Sequence, residues 1–240
     1  MTTSVRAPVR ILIHGANGRM GQALLRLCAD QVGCAVVGAV SRKVGQRVID
    51  GVPQFAADEL HGVPAFDVAV DFSLPEGFDR ILALCAERGA ALVSGTTGLD
   101  AAQRAALDAA ALRIPVLWAS NFSLGVAVLH DLVERAARAL PGWDCDIIEV
   151  HHTRKLDAPS GTALTLGSVA GEGGATPRYA SLRAGDIVGE HTVQFTTLGE
   201  RIELIHRATS RDIFAMGALH AAARLPGRKP GTYRLRDLIA

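Results

Sequence analysis

One short segment of the chain concentrates side chains that could carry out proton transfer. The segment EVHHTRKLDAPSGTA, residues 149–163, contains the adjacent histidines His151 and His152, the lysine Lys155 and a Ser-Gly-Thr turn. A histidine titrates close to neutral pH and suits a proton donor, whereas a lysine adds a fixed positive charge. The segment therefore predicts a catalytic site for a small substrate that carries several negative charges.

The Ser-Gly-Thr turn of this segment is the candidate site for a substrate carboxylate. Ser160, Gly161 and Thr162 offer a hydroxyl and backbone N–H groups, and a helix that begins at Thr162 would add its dipole. Consecutive residues of a strand point to opposite faces, so on local grounds only one of the two histidines needs to enter the site. This favours His151 over His152.

Further expectations concern the polar residues around this segment. Glu149 is expected to pair with a cation, and Asp157 to shape the turn before the Ser-Gly-Thr sequence. The histidines of two later strands, His191 and His206, are expected at the surface or at an interface. The pair Ser210-Arg211 is expected to close over the site.

A glycine-rich motif at the end of the first predicted strand indicates a nucleotide site. The motif HGANGRMG, residues 14–21, spaces Gly15, Gly18 and Gly21 at three-residue intervals and opens a predicted helix. Backbone N–H groups at such a helix start favour a pyrophosphate, and the missing Cβ atoms permit its close approach. Arg19 lies where its guanidinium could reach a phosphate. The alternative is a glycine-rich turn without a ligand.

The end of the second predicted strand bears on which dinucleotide is bound. A fold that prefers NAD usually has a carboxylate there, but the strand CAVVGAV is followed by Ser41, Arg42 and Lys43. A hydroxyl and two cations suit a 2′-phosphate and hence NADPH, with a merely solvated basic loop as the alternative. Three further predicted strands end at Phe72-Ser73, Gly95–Gly98 and Asn121–Ser123, where ligands bind in sheets of this kind.

The elements that must position these residues alternate through the first half of the chain. Helical patterns near Arg19, Ile81 and Asp100 separate apolar runs of strand length, namely VRILIHG, CAVVGAV, VAVDFS, ALVSGTTG and PVLWASNFS. Short apolar strands separated by helices predict a Rossmann-like, doubly wound parallel sheet in an α/β protein.

After residue 121 the pattern changes to that of a second, α+β domain. We predict a helix over 124–140, a strand at DIIEVHH, a hairpin of HTVQFTTL and RIELIHRA joined at Gly199-Glu200, and a final helix over 210–225. Residues 1–121 plus 211–240 are assigned to dinucleotide binding. Residues 122–210 are assigned to substrate binding and oligomerisation.

Composition favours a small-molecule partner. The 25 Lys+Arg and 24 Asp+Glu residues give no charge excess that would attract nucleic acid or a membrane. The four cysteines, Cys28, Cys34, Cys85 and Cys145, have no metal-ligand spacing and are expected to be buried free thiols. No apolar run approaches the roughly 20 residues that span a bilayer. The segment MTTSVRAPVR leads into a strand rather than into a signal-peptide apolar region, so we expect a soluble, cytoplasmic protein without a metal.

The motifs taken together resemble one enzyme family. GANGRMG, DFSLPEG, SGTTG, ASNFSLGV, EVHHTRKLDAPSGTA and RAGDIVGEHT occur in this order, and the chain resembles the 4-hydroxy-tetrahydrodipicolinate (dihydrodipicolinate) reductases over nearly its whole length. The resemblance implies hydride transfer from NADPH or NADH to a cyclic unsaturated imine with two carboxylates, formed from the 4-hydroxy substrate by loss of water. It also implies a place in lysine and diaminopimelate biosynthesis.

The resemblance implies roles for individual residues as well. His151 is the implied proton donor and Lys155 its partner, and the implied substrate contacts are His152, Gly161 and Thr162, to which the turn adds Ser160. The expected cofactor-binding residues, from the resemblance and from the strand ends, are Gly15, Ala16, Asn17, Gly18, Arg19, Met20, Gly21, Ser41, Arg42, Phe72, Gly95, Thr96, Thr97, Ala119, Ser120, Asn121 and Phe122.

One segment departs from the family pattern. Between Ser160-Gly161 and RAGDIVGEHT the chain has only TALTLGSVAGEGGATPRYASL, shorter than members of the family usually have. This affects the expected shape of the second domain and its subunit contacts, not the matched catalytic residues. In the family the sheet of that domain associates into a tetramer, and we expect a homotetramer here because one face of the half-apolar hairpin needs a cover.

Two other kinds of protein stay open. A redox sensor that binds a dinucleotide without catalysis would need neither the two histidines nor Lys155. The other is a different nicotinamide enzyme of similar build, such as a homoserine or an aspartate-semialdehyde dehydrogenase. The latter would need a nucleophilic cysteine in the substrate domain. Cys145 lies there, on a predicted strand without an activating neighbour in the sequence.

Overall fold

The structure, a computed structural model, describes residues 7–239 and divides the chain into two compact units. Unit 1 contains the residues up to Phe122 and again those from Phe214, and unit 2 is Ser123–Ile213. The expectation for the segment MTTSVR falls outside the described residues. The functional assignment of the two units stays a prediction. Strands and helices are numbered along the chain.

Unit 1 is built on an eight-stranded sheet. Its strands are β1 (Val9–His14), β2 (Cys34–Ser41), β3 (Val48–Ile49), β4 (Val52–Ala56), β5 (Val68–Asp71), β6 (Ala91–Ser94), β7 (Pro115–Trp118) and β12 (Gly231–Tyr233). Their order is β12-β7-β6-β5-β1-β2-β4-β3, and the pairings are parallel except for that of β3 with β4.

Helices complete the core of unit 1. They are α1 (Arg19–Ala29), α2 (Pro75–Arg88), α3 (Ala101–Ala111) and α6 (Asp212–Arg224), with 3-10 turns at Leu60–Gly62 and Leu235–Leu238. Phe78 and Ile81 of α2 pack with Leu12 of β1 and Leu92 of β6. All residues of β5 and β6 are buried, as strands of a parallel sheet covered on both faces must be. The predicted Rossmann-like fold is confirmed.

Unit 2 is a four-stranded sheet covered on one face by two helices. The strands are β8 (Asp144–His151), β9 (Pro177–Arg183), β10 (Gly189–Thr197) and β11 (Glu200–Ala208), in the order β11-β10-β8-β9. The helices are α4 (Leu124–Ala139) and α5 (Gly161–Glu172). Alternate residues of β8 and β10, including Ile147, Val193 and Phe195, are buried against these helices.

Several strands were not expected from the sequence. β9 is an edge strand whose residues are exposed or half-buried, so no apolar run marks it. β3 and β4 are short, and they form a hairpin through Asp50 and Gly51, whose φ angles are 49° and 78°. Asp-Gly is typical of such turns. β12 has only three residues. The predicted helix at Ile81 begins earlier, at Pro75.

Two expectations about burial were wrong. His191 is 4% exposed rather than at the surface, because it points to the helix-covered face of its sheet. Cys34 is half-buried because it is the first residue of β2, whereas Cys28, Cys85 and Cys145 are buried free thiols as expected. Within residues 7–239 no helix is both long and apolar enough to cross a membrane.

Candidate active site

The glycine-rich motif of unit 1 forms the turn between β1 and α1. Gly15 has a φ of 82°, and a Cβ atom there would lie 2.5 Å from the carbonyl oxygen of Phe72. A Cβ atom at Gly21 would lie 2.4 Å from the carbonyl oxygen of Gly15, so α1 can pack on the turn only with glycine at that position. The turn leaves the N-terminus of α1 at the carboxyl end of the sheet, where its N–H groups can hold an anion.

A cavity of about 530 Å³ opens beside this turn, within unit 1. Six expected cofactor-binding residues line it, namely Gly15, Asn17, Gly18, Ser41, Arg42 and Phe72. The rest of its wall is His14, Ala57, Leu60, Ser73, Leu74, Glu76, Gly77 and Arg80. Pockets that hold small molecules measure roughly 300–1,000 Å³. An apolar wall, a glycine turn and arginines together can accept the adenosine part of a dinucleotide.

The end of β2 forms one side of this cavity. The Oγ of Ser41 accepts the N–H of Asn17 at 3.1 Å, and the amide of Asn17 donates to the carbonyl of Lys43 at 3.3 Å. Arg42 is exposed and lines the cavity, whereas Lys43 is exposed and does not line it. Of the two cations singled out in the sequence, Arg42 is therefore the one that a molecule in this cavity could contact.

Asp71, at the end of β5, organises the strand ends behind the cavity. Its buried carboxylate accepts hydrogen bonds of 2.8 Å from Nδ1 of His14, Oγ of Ser94 and Oγ1 of Thr96. Burial raises the pKa of Asp71, but the hydrogen bonds from His14, Ser73 and Thr96 and the electrostatic interaction with His14 outweigh it and hold the pKa below its usual range. The hydroxyl of Thr96, an expected cofactor contact, is thus already bonded inside the sheet.

Phe72 connects the remaining expected cofactor residues. Its ring meets that of Phe122 edge-on with centroids 5.4 Å apart, and a Cβ atom at Gly95 would lie 2.2 Å from it. The segments after β6 and β7 therefore converge on the end of β5. Around them, Ala16 and Gly21 are buried, Met20, Ala119 and Asn121 are half-buried, and Arg19, Thr97 and Ser120 are exposed.

In unit 2 the polar residues of three strands meet on the helix-covered face of the sheet. Glu149 and His151 of β8 point to this face. His191 of β10 lies opposite Glu149, and Arg183 of β9 lies beside His151. The rings of His151 and His191 meet edge to face with centroids 5.2 Å apart.

Glu149 is at the centre of this group. Its fully buried carboxylate accepts hydrogen bonds from Nδ1 of His151, from two guanidinium nitrogens of Arg183 at 2.8 and 2.9 Å, and from the N–H of Ser160 at 3.3 Å. Burial raises the pKa of Glu149, but the hydrogen bonds from Arg183, Ser181 and His151 outweigh it and lower the pKa to about 2. The expected pairing of Glu149 with a cation is confirmed.

The imidazole of His151 is held in one tautomer. A carboxylate only accepts hydrogen bonds, so Nδ1 carries the proton towards Glu149 and Nε2 is left for a substrate. A Cβ atom at Gly189 would lie 2.9 Å from Nε2, so glycine at that position keeps this side of the ring clear. Burial lowers the pKa of His151 and outweighs the raising effect of Glu149.

The Ser-Gly-Thr turn is the start of α5, which begins at Gly161 rather than at Thr162. Ser160 caps the helix, because its Oγ accepts the N–H of Ala163 at 3.2 Å. The same Oγ lies 3.1 Å from Nε2 of His191, whose pKa is lowered to about 4 by burial and by His151. A Cβ atom at Gly161 would meet nothing within 4 Å, so the helix start has open space in front of it.

Lys155 and His152 each contact one charged side chain. The Nζ of Lys155 donates to both carboxylate oxygens of Asp157, at 2.8 and 2.9 Å. The carboxylate of Asp157 thus pairs with Lys155, and its expected role in shaping the turn stays a prediction. Nε2 of His152 lies 3.2 Å from a guanidinium nitrogen of Arg211. Burial lowers the pKa of His152, and the charge of Arg211 lowers it further.

Sequence reasoning missed or undervalued four of these residues. Arg183 belongs to an edge strand that no pattern marked, and His191 was expected at the surface. Arg211 was expected near the site without a stated contact, and it lies beside His152. His14, on the cavity wall, could have been noticed as a polar residue at the end of an apolar strand.

A Rossmann-like unit with a glycine-rich turn before its first helix, together with a unit that carries His151 and Lys155 in the segment leading to α5, is typical of a two-domain nicotinamide-dependent oxidoreductase. The family models for the N-terminus and the C-terminus of dihydrodipicolinate reductase match residues 9–122 and 125–239. The chain belongs to the dihydrodipicolinate reductase family.

Named relatives agree with this family. The chain is 72% identical over 239 residues to the 4-hydroxy-tetrahydrodipicolinate reductase of Stenotrophomonas maltophilia (strain K279a), covering 98% of this chain and 99% of that one. It is 72% identical over 240 residues to that of Xanthomonas campestris pv. campestris (strain B100), covering 100% of both chains. The alternative of a non-catalytic redox sensor is therefore set aside.

Solved structures share the fold. A dipicolinate-bound dihydrodipicolinate reductase from Paenisporosarcina sp. TG-14 matches with a TM-score of 0.80 at 21% identity, over 97% of this chain and 100% of that one. An engineered D-amino acid dehydrogenase bound to NADP+ matches with a TM-score of 0.60 at 15% identity, over 96% of this chain and 94% of that one.

Proposed function

We propose that this chain transfers a hydride from a nicotinamide cofactor to the cyclic unsaturated imine that forms when 4-hydroxy-tetrahydrodipicolinate loses water. The product is tetrahydrodipicolinate, an intermediate of lysine and diaminopimelate biosynthesis. The observation that supports this most directly is the buried imidazole of His151, with Nε2 clear, in a chain of this reductase family.

His151 has the role of proton donor in this reaction. Hydride adds two electrons to one ring carbon of the substrate and leaves excess electron density on the adjoining part of the ring, which a proton must neutralise. In its imidazolium form His151 carries a second proton on Nε2, and this is the proton it supplies, since Nδ1 is held by Glu149. Lys155 adds a positive charge that stabilises the developing anion.

The start of α5 has the role of carboxylate site. The first N–H groups of a helix have no partners within the helix, and its dipole favours an anion. Gly161 leaves space for the ligand, Ser160 fixes the helix start, and Thr162 offers a hydroxyl. His152, with Arg211 beside it, contributes to binding the second carboxylate.

Unit 1 has the role of binding the cofactor, and unit 2 that of binding the substrate. At the end of β2, Ser41 and Arg42 line the cavity, and no carboxylate follows that strand directly. A guanidinium can form a charge-assisted hydrogen bond with the 2′-phosphate of NADPH that NADH cannot provide. We infer a modest preference for NADPH, with NADH also used.

The uncovered face of the unit 2 sheet has the role of a subunit interface in a homotetramer. By strand register, Ile148, Val150, Leu182 and Ile205 share this face, and Leu182 and Ile205 are 57% and 41% exposed. Ion pairs of Arg178 with Asp146 (2.7 Å) and of Arg207 with Glu190 (3.2 Å) flank this apolar band. An apolar centre with a polar rim is typical of stable interfaces.

The reaction and the role of His151 are tested in one coupled assay. Substrate is generated from aspartate semialdehyde and pyruvate, and oxidation of NADPH is followed by absorbance. His151→Gln should lower kcat by about 10²–10⁴-fold with the Kd of NADPH nearly unchanged, because it removes the proton donor but no cofactor contact.

His152→Gln is the matched control. It should mainly raise KM, because it alters substrate binding rather than proton delivery. If His151→Gln keeps the kcat of the unmodified protein, His151 is not the donor. If the unmodified protein oxidises no NADPH or NADH in this assay, the proposed reaction is wrong.

A further inference from the structure

The buried ion pair of Glu149 and Arg183 takes part in more hydrogen bonds than a salt bridge between two side chains requires. Burying two charges is costly, and a buried pair adds little stability on balance. Here Glu149 is fully buried on the strand that carries His151. The side chain of Arg183, 20% exposed, reaches it from the neighbouring strand β9.

Arg183 contacts three residues of the candidate catalytic segment. Its guanidinium donates to both oxygens of Glu149 at 2.8 and 2.9 Å, to the carbonyl of Lys155 at 3.2 Å and to the carbonyl of Asp157 at 2.5 Å. Glu149 in turn accepts from His151 and from the N–H of Ser160. One ion pair therefore joins the proton donor, the loop that carries Lys155 and the start of α5.

We propose that Glu149 and Arg183 are positioning residues that act in opposite directions on the proton donor. Glu149 fixes Nδ1–H of His151, so that Nε2 delivers the proton, and stabilises the imidazolium. Arg183 neutralises most of the charge of Glu149, which keeps the imidazolium acidic enough to release its proton. This inference depends on the proposed role of His151 for its catalytic consequence, but not for its effect on the imidazole.

The groups that face His151 determine whether removing Glu149 or Arg183 raises or lowers its pKa. Glu149 raises the pKa of His151, whereas burial, Lys155 and Arg183 lower it. The ring of His191 lies against His151 and is neutral at pH 7, because burial lowers its pKa to about 4. Removing the carboxylate should thus lower the pKa of His151, and removing the guanidinium charge should raise it.

Three full-length variants test this inference. In Glu149→Gln the pKa of His151 should fall by about one unit, in Arg183→Met it should rise by about one unit, and in Arg183→Lys it should stay near that of the unmodified protein. The pKa is read from the ring 13C and 15N NMR signals of His151, assigned by their loss in His151→Asn. These signals also report the tautomer, which should be Nδ1–H in the neutral ring.

The same variants give a second readout in the pH dependence of kcat/KM. A proton donor is active in its protonated form, so activity falls as pH rises through its pKa. This falling limb should move to lower pH in Glu149→Gln and to higher pH in Arg183→Met. In Arg183→Lys the pH at which kcat/KM falls should stay unchanged. The value of kcat/KM should be lower by about tenfold, because an ammonium group cannot form the several hydrogen bonds by which the guanidinium holds the Lys155 loop.

The outcomes separate the two proposals. Shifts of the same sign, or no shift, in the NMR-derived pKa of Glu149→Gln and Arg183→Met would overturn this inference. Opposite NMR shifts with an unmoved pH profile would instead show that His151 is not the proton donor. If Arg183→Met does not fold, Glu149→Gln and Arg183→Lys decide, since an unchanged His151 pKa in Glu149→Gln contradicts the inference by itself.

Discussion

At the scale of single residues, Arg42 decides the cofactor preference in our proposal. It lines the cavity of unit 1, whereas its neighbour Lys43 is also exposed but does not line it. The side chain is solvent-exposed, and the 2′-phosphate must lose water to reach it, so the gain is smaller than the 1.5–3 kcal/mol or so of a charge-assisted hydrogen bond. We expect a preference for NADPH over NADH of roughly tenfold in kcat/KM, about 1.4 kcal/mol.

Arg42→Ala should remove most of this preference by weakening NADPH alone. Lys43→Ala is the matched control, with the same loss of charge one residue further along, and should leave the ratio nearly unchanged. The measurement is kcat/KM for both cofactors in all three proteins. A ratio that survives Arg42→Ala would show that the loop is only a solvated turn, and a ratio that falls equally in Lys43→Ala would show that the loop acts only through its overall charge.

At the scale of elements, the packing of α1 on the glycine turn depends on Gly21. A Cβ atom there meets backbone atoms of Gly15 and Ala16 at 2.4 and 2.5 Å, and backbone cannot rotate away as a side chain can. Gly21→Ala should lower the free energy of unfolding by about 1–3 kcal/mol and weaken NADPH binding. Gly45→Ala, where a Cβ atom meets nothing within 4 Å, should change neither. Thermal unfolding and NADPH titration of both variants would check this, and a fully stable Gly21→Ala would contradict it.

The start of α5 is the second element on which function depends. Dipicolinate, which is bound in the Paenisporosarcina enzyme, should compete with the substrate here. Thr162→Val should raise both the Ki of dipicolinate and the KM of substrate by roughly tenfold, because one hydroxyl donor is lost while the backbone donors remain. The control Thr165→Val removes a hydroxyl that donates to the carbonyl of Gly161 at 2.9 Å and should change both constants far less. Non-competitive inhibition would place the dicarboxylate elsewhere.

At the scale of the whole molecule, the uncovered face of the unit 2 sheet should determine the oligomer. Ile205→Arg places a charge in the apolar band, which would have to be buried unpaired in an interface. The mass from size-exclusion chromatography with light scattering should fall from that of a tetramer to that of a smaller species. Leu112→Arg alters a residue that is 82% exposed in unit 1 and should leave the mass unchanged. A monomeric unmodified protein would rule out the interface.

Much of the fold could be predicted from the sequence because short segments of the chain show which elements they form. The apolar runs of β1, β5 and β6 and the glycines of the first turn give strand, turn and helix in order, and the structure has them there. β9 could not be predicted, because an exposed edge strand has no apolar pattern. The burial of His191 followed from the pairing of β10 with β8, which a single strand does not reveal.

The sequence by itself determined the family, the order of the main helices and strands, and the segment that carries His151, Lys155 and the Ser-Gly-Thr turn. These depend on residue types and short spacings, which a linear chain displays directly. The tertiary structure decided that Arg183, 34 residues from Glu149, completes a buried ion pair around His151. It also decided that Arg42 rather than Lys43 lines the cavity beside the glycine-rich turn. Glu149 and Arg183 are far apart in the chain and yet meet, whereas Arg42 and Lys43 are adjacent and yet face different surroundings. Only the packing of strands and turns determines which side chains meet.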